Sequence, residues 1–434
     1  MRMIDLIERK RDGGELSSAE IEWFVREYTA DRIPDYQASA FMMAVYLRGM
    51  NRQETVDLTL AMARSGDQLD LHDVAPFVVD KHSSGGVGDK TTLVVQPLVA
   101  ACGVPVGKMS GRGLGSSGGT LDKMESITGW SFQMPLAQFK RQLGEIGLVL
   151  AGQTAELAPA DGKLYALRDV TGTVANYSLI SASIMSKKLA AGADAIVLDV
   201  KTGSGAFMPT VDLARDLARV MVDIGLDAGR KMVALISDMN QPLGTAVGNA
   251  LEVKEAIATL QGEGSPHLWA HSQEVAAQML RLAGKAESVD EAKEMVAAVR
   301  QNGRALAKFR EMVAAQGGDV SQVDDVSQLP QARLVEPILA PRAGYAAAMN
   351  TAEIGWAVVR LGGGRLTKDD KIDHAVGLLL PTKIGDKVEE NQEIGLIHAN
   401  DKEKLEQARE EILAAIQWSD EPVEPLPHVY GTVE

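Results

Sequence analysis

A change of hydrophobic period near residue 77 is the feature that most constrains the fold of this chain. Before residue 77 the sequence reads as short helices, and after it short apolar runs alternate with helical patterns as far as residue 240. The apolar runs are strand candidates: FVVDKH, VPVGKMS, LVLAGQT, ADAIVLDVK and KMVALISDM. Such alternation predicts a parallel sheet covered by helices, in which ligands bind at the carboxyl ends of the strands.

The length of 434 residues predicts roughly three domains. Residues 1–66 are expected to form a small helical domain, joined by a helical segment at about 163–192. Residues 74–330 are expected to form a larger α/β phosphate-binding domain with a mixed, mainly parallel sheet, and residues 340–434 a C-terminal α+β hammerhead-like subdomain. The fold class is therefore α/β. The Gln- and Asp-rich stretch GGDVSQVDDVSQLPQ reads as a linker.

Charge and composition exclude several classes of protein. Lys and Arg number 44 and Asp and Glu 59, so the net charge is −15, which argues against nucleic acid as a partner. The single cysteine, Cys102, excludes an intramolecular disulfide framework and a Cys-rich zinc site. No apolar run is long enough to cross a membrane, and the charged N-terminus lacks the apolar core of a signal peptide. We therefore expect a cytoplasmic protein with no membrane partner.

Glycine is concentrated directly after two of the predicted strands. Ten of the 42 glycines lie in residues 85–119, eight of them within the clusters KHSSGGVGD and KMSGRGLGSSGGT. Glycine lets the backbone approach a ligand, and helix N-termini offer unpaired N–H groups to an anion. Residues 81–123 carry five basic and two acidic side chains, a local charge of +3 in an acidic chain. Two such loops side by side predict a site for one small anion, with further donors from Lys81, Ser83, Thr92, Ser110 and Thr120.

A nucleotide-binding P-loop is the rival interpretation of the first cluster. The run SGGVGDKTT approaches the pattern G-x-x-x-x-G-K-[ST], but Asp89 stands directly before Lys90. A carboxylate at the place where the backbone must cradle a phosphate repels the ligand. The rival is therefore disfavoured.

A third group of polar residues lies on the helical segment between two strand candidates. Ser183 and Lys187 are four residues apart and so share one helical face, which Arg168 reaches if the two helices pack together. These side chains are mostly donors, suited to a planar ligand rich in carbonyl oxygens. The alternative is a solvated helix face with an ordinary ion pair. His82 differs from the other histidines because it lies inside the first glycine cluster, between the two sites.

At this point the residues match a known family. The segment SGRGLGSSGGTLDKME, residues 110–125, resembles the signature of the thymidine and pyrimidine-nucleoside phosphorylases, and KHSSGGVGD resembles their other phosphate loop. The resemblance spans nearly the whole chain. It implies reversible phosphorolysis of uridine, thymidine or deoxyuridine, in which phosphate attacks the anomeric carbon directly and gives the free base and a pentose 1-phosphate. It implies no organic cofactor, with inorganic phosphate as co-substrate.

The same resemblance implies a role for individual residues. Phosphate is expected to be held by Lys81, Ser83, Thr92, Lys108, Ser110 and Thr120. The base is expected to be held by Tyr165, Arg168, Ser183 and Lys187, with His82, Arg168 and Lys187 as the catalytic residues. Some relatives bind a potassium ion, and the matching positions here are Gly88, Lys90, Leu243, Ala246 and Glu255.

The resemblance also implies a homodimer formed through the helical domain. The apolar face of the first helix, with Met3, Ile4 and Ile7, is either part of that interface or packed within its own chain. Three alternatives stay open for the function: a phosphorylase restricted to 2′-deoxynucleosides, a related phosphoribosyltransferase, and a nucleoside-binding protein without activity.

Four positions depart from the family's pattern. Ser116-Ser117 stands where many relatives have His-Thr, and Ser84 stands where they have Thr. Lys90 replaces the threonine of close bacterial relatives. A cation ligand supplied by the backbone at position 90 survives that change, whereas one supplied by the side chain does not.

Overall fold

The computed structural model describes residues 1–113, 115–154, 156–367 and 370–434. Leu114 of the second glycine cluster lies outside them. The helices, in chain order from α1 to α17, are Met3–Arg11, Ser18–Thr29, Asp35–Arg48, Arg52–Ala63, Thr91–Ala101, Thr120–Met124, Leu136–Ile146, Pro159–Thr171, Tyr177–Ala190, Val211–Asp227, Asn249–Gln261, Pro266–Leu282, Val289–Gln301, Arg304–Ala315, Ser321–Asp324, Thr351–Val358 and Lys402–Ala415. The strands, from β1 to β13, are Val79–Ser83, Val106–Ser110, Leu148–Gly152, Ala195–Thr202, Lys231–Asp238, Ala246–Val247, Leu334–Leu339, Gly344–Met349, Gly377–Leu379, Lys387–Val388, Glu393–Ala399, Ile416–Ser419 and Val429–Val433.

Helices α1 to α4 form the helical domain, and α8 and α9 pack onto it. A capping box starts α2, in which the Glu20 carboxylate accepts a hydrogen bond from the backbone N–H of Ser17 at 2.9 Å. Aromatic side chains of α2 and α3 share one apolar core with Leu164 of α8 and Leu179 of α9. This packing places the polar residues of α8 and α9 beside the α/β domain.

The central sheet has the strand order β13-β5-β4-β1-β2-β3. Strands β1 to β5 are parallel and coincide with the five strand candidates of the sequence, so the prediction of a mainly parallel sheet is confirmed. Strand β4 is buried along its whole length, since helices cover both faces of the sheet. The carboxyl ends of β1 and β2 carry the two glycine clusters side by side.

The C-terminal region is α+β, as predicted, and it is closely joined to the α/β domain. One of its sheets has the order β10-β8-β12 and the other the order β6-β9-β11-β7, in which β6 comes from the loop after β5. Two details differ from the sequence prediction. The last strand, β13, returns to pair antiparallel with β5 in the central sheet. The predicted linker is ordered, with Val323 and Leu329 buried in the main core.

No helix in the described ranges is long and apolar enough to cross a membrane.

Candidate active site

A cavity of about 510 Å³ lies at the carboxyl ends of β1 and β2, with α8 and α9 as its opposite wall. The α/β side contributes both glycine clusters and the polar side chains His82, Ser83, Asp89, Thr92, Lys108, Ser110 and Thr120. The helical side contributes Asp161, Tyr165, Ser183, Lys187 and Lys188. Most of the residues that were predicted to bind phosphate or base therefore line the same cavity. Lys81 and Arg168 are not among those lining it.

Asp89 organises the first glycine cluster rather than blocking it. Its carboxylate accepts hydrogen bonds from the Ser83 hydroxyl and, at 3.2 Å, from the backbone N–H of Thr91 in the first turn of α5. Burial opposes ionisation of Asp89, but attraction to the Lys81 and Lys201 charges outweighs it and holds the pKa well below the usual value. The Asp89 carboxylate thus links the end of β1 to the first turn of α5 and stabilises the conformation of the loop between them.

Lys81 lies beneath the loop. Its side chain is 1% exposed, and Nζ lies 4.0 Å from Asp89 Oδ1 and 3.7 Å from Asp199 Oδ2. Burial lowers the pKa of this ammonium. In the described part of the chain, Lys81 Nζ has no hydrogen-bond partner. Direct contact of Lys81 with phosphate stays a prediction; in this structure its charge acts on the cavity through Asp89.

Two further lysines supply the positive charge of the cavity. Lys108 Nζ donates to the Lys81 carbonyl at 2.5 Å, and Lys188 Nζ donates to Asp80 Oδ2 at 2.7 Å and to the Met109 carbonyl at 3.2 Å. Burial, followed by repulsion from Lys188, lowers the pKa of Lys108 well below its usual value. These buried ammonium groups are shielded from water and have one or two protein acceptors each. They can therefore form further hydrogen bonds to an anion that enters the cavity.

Lys188 and its partner Asp80 were not among the residues predicted from the sequence to form the site. Asp80 is a fully buried carboxylate in β1, directly after the apolar run Phe77-Val78-Val79. A charge in such a place requires a partner of opposite sign, because an isolated buried carboxylate is very costly. The need for a cationic partner could therefore have been predicted from the sequence, but the sequence does not identify which lysine pairs with Asp80.

The second glycine cluster folds back on itself at two glycines. The backbone N–H of Gly113 donates to Asp122 Oδ2 at 2.7 Å, and a Cβ atom built on Gly119 would lie 2.1 Å from the Gly113 nitrogen. Only glycine permits this approach of two backbone segments. The fold-back brings Ser110, at the end of β2, and Thr120, at the start of α6, to the same cavity.

On the helical side, Lys187 faces the cavity with Ser183 and Asp161. Lys187 Nζ donates to the Asp161 carboxylate and, at 3.2 Å, to Ser183 Oγ. The Lys187 side chain is 24% exposed, so its ammonium is reachable from the cavity. Tyr165, one turn along α8 from Asp161, lines the same wall. Asp161 was not among the predicted site residues.

Arg168 is placed differently from the prediction. Its guanidinium donates to the backbone carbonyls of Thr173, Val174 and Leu179 at 3.3, 2.8 and 3.0 Å. These bonds tie the segment between α8 and α9 to the end of α8. Contact of Arg168 with a base stays a prediction, and in this structure the residue supports the helices that carry Tyr165 and Lys187.

The residues expected to hold potassium enclose the Lys90 ammonium instead. Lys90 Nζ donates to the Leu243 carbonyl at 2.7 Å, the Ala246 carbonyl at 2.8 Å and Glu255 Oε2 at 2.6 Å. The Gly88 carbonyl accepts a hydrogen bond from the backbone N–H of Lys90. The residues of this chain therefore do not fit the ion that the family resemblance implies.

Three buried histidines predict a loss of stability on mild acidification. Burial is the main cause that lowers the pKa of His82, His267 and His271, to about 2 for His267. Between pH 6.5 and 5 the unfolded chain binds protons at these sites more readily than the folded chain, in which the pKa values are lowered. Each site then costs up to about 1.4 kcal/mol of unfolding free energy per pH unit, while the carboxylates of the unfolded chain remain ionised. His72, beside Asp70, has a raised pKa and acts in the opposite direction.

Urea denaturation at pH 7.5 and pH 5.0 measures the change in the free energy of unfolding. We expect this change to be smaller in His267→Gln than in the wild type. Stability that is equal at the two pH values, or greater at pH 5.0, contradicts the predicted loss.

The domain organisation and the cavity define a class of glycosyltransferases. The sequence matches the glycosyl transferase family helical bundle domain over residues 4–66 and the glycosyl transferase family a/b domain over residues 75–306. The solved structure of anthranilate phosphoribosyltransferase from Thermus thermophilus matches with a TM-score of 0.60 and 21% identity, covering 72% of this chain and 99% of that one. At this identity the likeness shows a shared fold.

The C-terminal region and the full-length relatives specify the family within that class. Residues 345–419 match the pyrimidine nucleoside phosphorylase C-terminal domain. The chain is 50% identical over 433 residues to the pyrimidine-nucleoside phosphorylase of Geobacillus stearothermophilus, covering 100% of both chains. It is 51% identical over 425 residues to that of Staphylococcus aureus (strain NCTC 8325 / PS 47), covering 98% of both. The chain belongs to the pyrimidine-nucleoside phosphorylase family, as its sequence motifs predicted.

Proposed function

We propose that this chain catalyses the reversible phosphorolysis of pyrimidine nucleosides such as uridine, thymidine and deoxyuridine. The observation that carries the proposal is the two-sided cavity. Hydroxyl and ammonium donors of the glycine clusters form one wall, and Ser183 and Lys187 form the facing wall. A nucleoside placed between them has its base toward α9 and its sugar toward the phosphate.

The first step is binding of phosphate. Ser110, Thr92 and Thr120 offer hydroxyl groups, and Ser83 offers its own when phosphate replaces Asp89 as the acceptor. Burial lowers the pKa of Lys108, and a bound anion stabilises its ammonium form. Charge-assisted hydrogen bonds in such a place are stronger than those in water. The fold-back at Gly113 and Gly119 fixes two of these donors before phosphate arrives.

In the chemical step, a phosphate oxygen forms a bond to the anomeric carbon while the bond from that carbon to the base nitrogen breaks. The electron pair of the broken bond moves into the base and accumulates on its carbonyl oxygens. The Lys187 ammonium stabilises this negative charge, and Ser183 adds a hydrogen bond, as donors in an oxyanion hole do. The base takes its proton from water afterwards, so no covalent enzyme intermediate is required.

His82 has a separate role in this scheme. Burial and the neighbouring Lys188 and Lys108 charges hold its pKa well below the usual value, so the imidazole is neutral near pH 7. A neutral imidazole donates one hydrogen bond and accepts another. His82 therefore orients the base or the phosphate as a neutral donor, rather than acting as a cation.

Two points of organisation belong to the same proposal. A homodimer through the helical domain is supported by apolar side chains exposed on α1 and α3, namely Ile4, Tyr36 and Leu47. Met3 is instead buried within its own chain. The cytoplasmic location inferred from the sequence stays a prediction.

Release of free base from uridine and from thymidine, with and without inorganic phosphate, tests the proposed function. We expect phosphate-dependent release of uracil or thymine together with the matching pentose 1-phosphate. Comparison of the two nucleosides tests the restriction to 2′-deoxynucleosides. Release of base from neither substrate in the presence of phosphate would refute the proposal, and a requirement for pyrophosphate and magnesium would favour a phosphoribosyltransferase.

A further inference from the structure

The Lys90 ammonium has the environment of a bound monovalent cation. Its side chain is fully buried at the start of α5, directly after the first glycine cluster. An ammonium has three N–H donors, and the carbonyls of Leu243 and Ala246 and the Glu255 carboxylate accept all three at 2.6 to 2.8 Å. No donor of this group remains for solvent or substrate.

The oxygen atoms around Lys90 are themselves held in place. Glu255 Oε1 accepts from the backbone N–H of Thr245 at 2.7 Å, and Oε2 accepts from that of Ala246 at 2.8 Å. Burial opposes ionisation of Glu255, but the charge of Lys90 outweighs it and lowers the pKa of the carboxyl. Gly88 has φ +71° and brings its Cα against the Leu243 carbonyl, where a Cβ would lie at 2.8 Å. The loop is therefore wrapped closely around the ammonium.

A second ammonium lies close to the same oxygens. Lys383 Nζ donates to the carbonyls of Gly244 at 2.5 Å and Pro242 at 3.0 Å. Burial, followed by repulsion from Lys90, lowers the pKa of Lys383 to about 7. The Lys90 ammonium already balances the Glu255 carboxylate. An additional ion would lose its ligands to Lys90 and would be repelled by its charge.

We infer that the Lys90 ammonium is a covalently attached substitute for a free monovalent cation, and that this chain holds its phosphate loop without potassium. Potassium is coordinated in proteins by backbone carbonyls of the kind that Leu243 and Ala246 present. An ion from solution stabilises a loop only to the extent that its concentration exceeds its dissociation constant. An ammonium on the loop itself is present in every molecule, and Lys90 is a positioning residue in this sense.

The wild-type protein provides the first test. Its melting temperature is expected to be the same in KCl, NaCl and choline chloride at equal ionic strength. A rise that is specific to KCl would overturn the inference. This measurement does not require catalysis, so it distinguishes failure of this inference from failure of the proposed function, on which only the kinetic measurement below rests.

Lys90→Thr provides the second test, because it removes the ammonium and leaves a hydroxyl and an open space among the same oxygens. We expect this variant to melt lower than wild type in NaCl and to regain stability in KCl. We also expect its KM for phosphate to rise by roughly an order of magnitude in NaCl, a coupling typical of two linked sites, and to fall again in KCl. A structural role alone would not produce a response that distinguishes potassium from sodium.

Lys90→Met is the matched control, since methionine fills much of the same space but offers no oxygen to an ion. We expect it to be destabilised without a response to KCl. A Lys90→Thr variant that responds equally to sodium and potassium, or to neither, would overturn the inference. Should Lys90→Thr fail to fold, the cation dependence of the wild type still decides the question.

Discussion

Replacing Lys187 with methionine is expected to lower the kcat of phosphorolysis by about a hundredfold or more, the loss typical of removing one donor to a developing anion. The ammonium lies with Ser183 Oγ, at 3.2 Å, in the cavity wall toward which the base is proposed to bind. The Asp161 carboxylate that it leaves behind is 3% exposed, so loss of its partner is also expected to lower the melting temperature. The kinetics are therefore measured at a temperature at which the variant is folded. Steady-state kinetics with saturating phosphate, together with thermal denaturation, measure the two effects separately.

Lys163→Met is the matched control for this experiment. Lys163 lies on α8 with a similar exposure of 28%, and its ammonium pairs with Asp31 outside the cavity. Its replacement removes an equal charge from the same domain and is expected to leave kcat near the wild-type value. A wild-type kcat in Lys187→Met would show that Lys187 does not stabilise the transition state.

Arg168 is a poorer target for the same question. Its guanidinium satisfies three backbone carbonyls between α8 and α9. Removing it leaves buried acceptors unpaired, at a cost of about 1–3 kcal/mol for each. Loss of activity in Arg168→Ala would therefore mix loss of stability with loss of a base contact.

The elements that the sequence predicted well depend on local information. Strands β1 to β5 are recognisable because each contains or directly follows a short apolar run, as is typical of strands buried on both faces. The glycine clusters follow β1 and β2 immediately, so the parallel order of the sheet brings them together. For Ser183 and Lys187, helical spacing was sufficient, because four residues separate neighbours on one helix face.

The features that the sequence did not predict depend on partners distant along the chain. Asp80 pairs with Lys188 across 108 residues, and no local pattern selects that lysine over its neighbour Lys187. The orientation of Arg168 depends on how the segment at 173–179 folds back. Strand β13 joins the central sheet because β5 offers an unpaired edge, which is a property of the assembled sheet and not of residues 429–433.

Lys90 illustrates both what the sequence predicts locally and what depends on distant residues. The sequence identified the substitution and left open whether a ligand at position 90 comes from the backbone or from the side chain. The answer required the positions of Leu243, Ala246 and Glu255, which lie more than 150 residues away along the chain. Once they are known, the count of three donors and three acceptors decides in favour of the ammonium.

Replacing Gly119 with alanine is expected to raise the KM for phosphate by about a hundredfold, the effect that a misplacement of roughly 1 Å can have at a reacting site. A Cβ at this position would lie 2.1 Å from the Gly113 nitrogen and 2.6 Å from the Arg112 carbonyl carbon. Both atoms belong to the backbone, so a side-chain rotation cannot relieve the overlap. The two segments must separate, and the hydrogen bond from the Gly113 N–H to Asp122 is lost with them. Ser110 and Thr120 then no longer converge on one anion.

Gly111→Ala separates this steric cause from a general cost of alanine in the loop. Gly111 has no other heavy atom within 4 Å of its would-be Cβ and no positive φ, so this variant is expected to keep the wild-type melting temperature. Gly119→Ala is expected to melt lower and to bind phosphate poorly, as measured by initial rates at varied phosphate and by calorimetric titration. If Gly119→Ala binds phosphate as wild type does, the fold-back of the second cluster is not what positions its donors. The anion site would then depend on Lys108 and the first cluster alone.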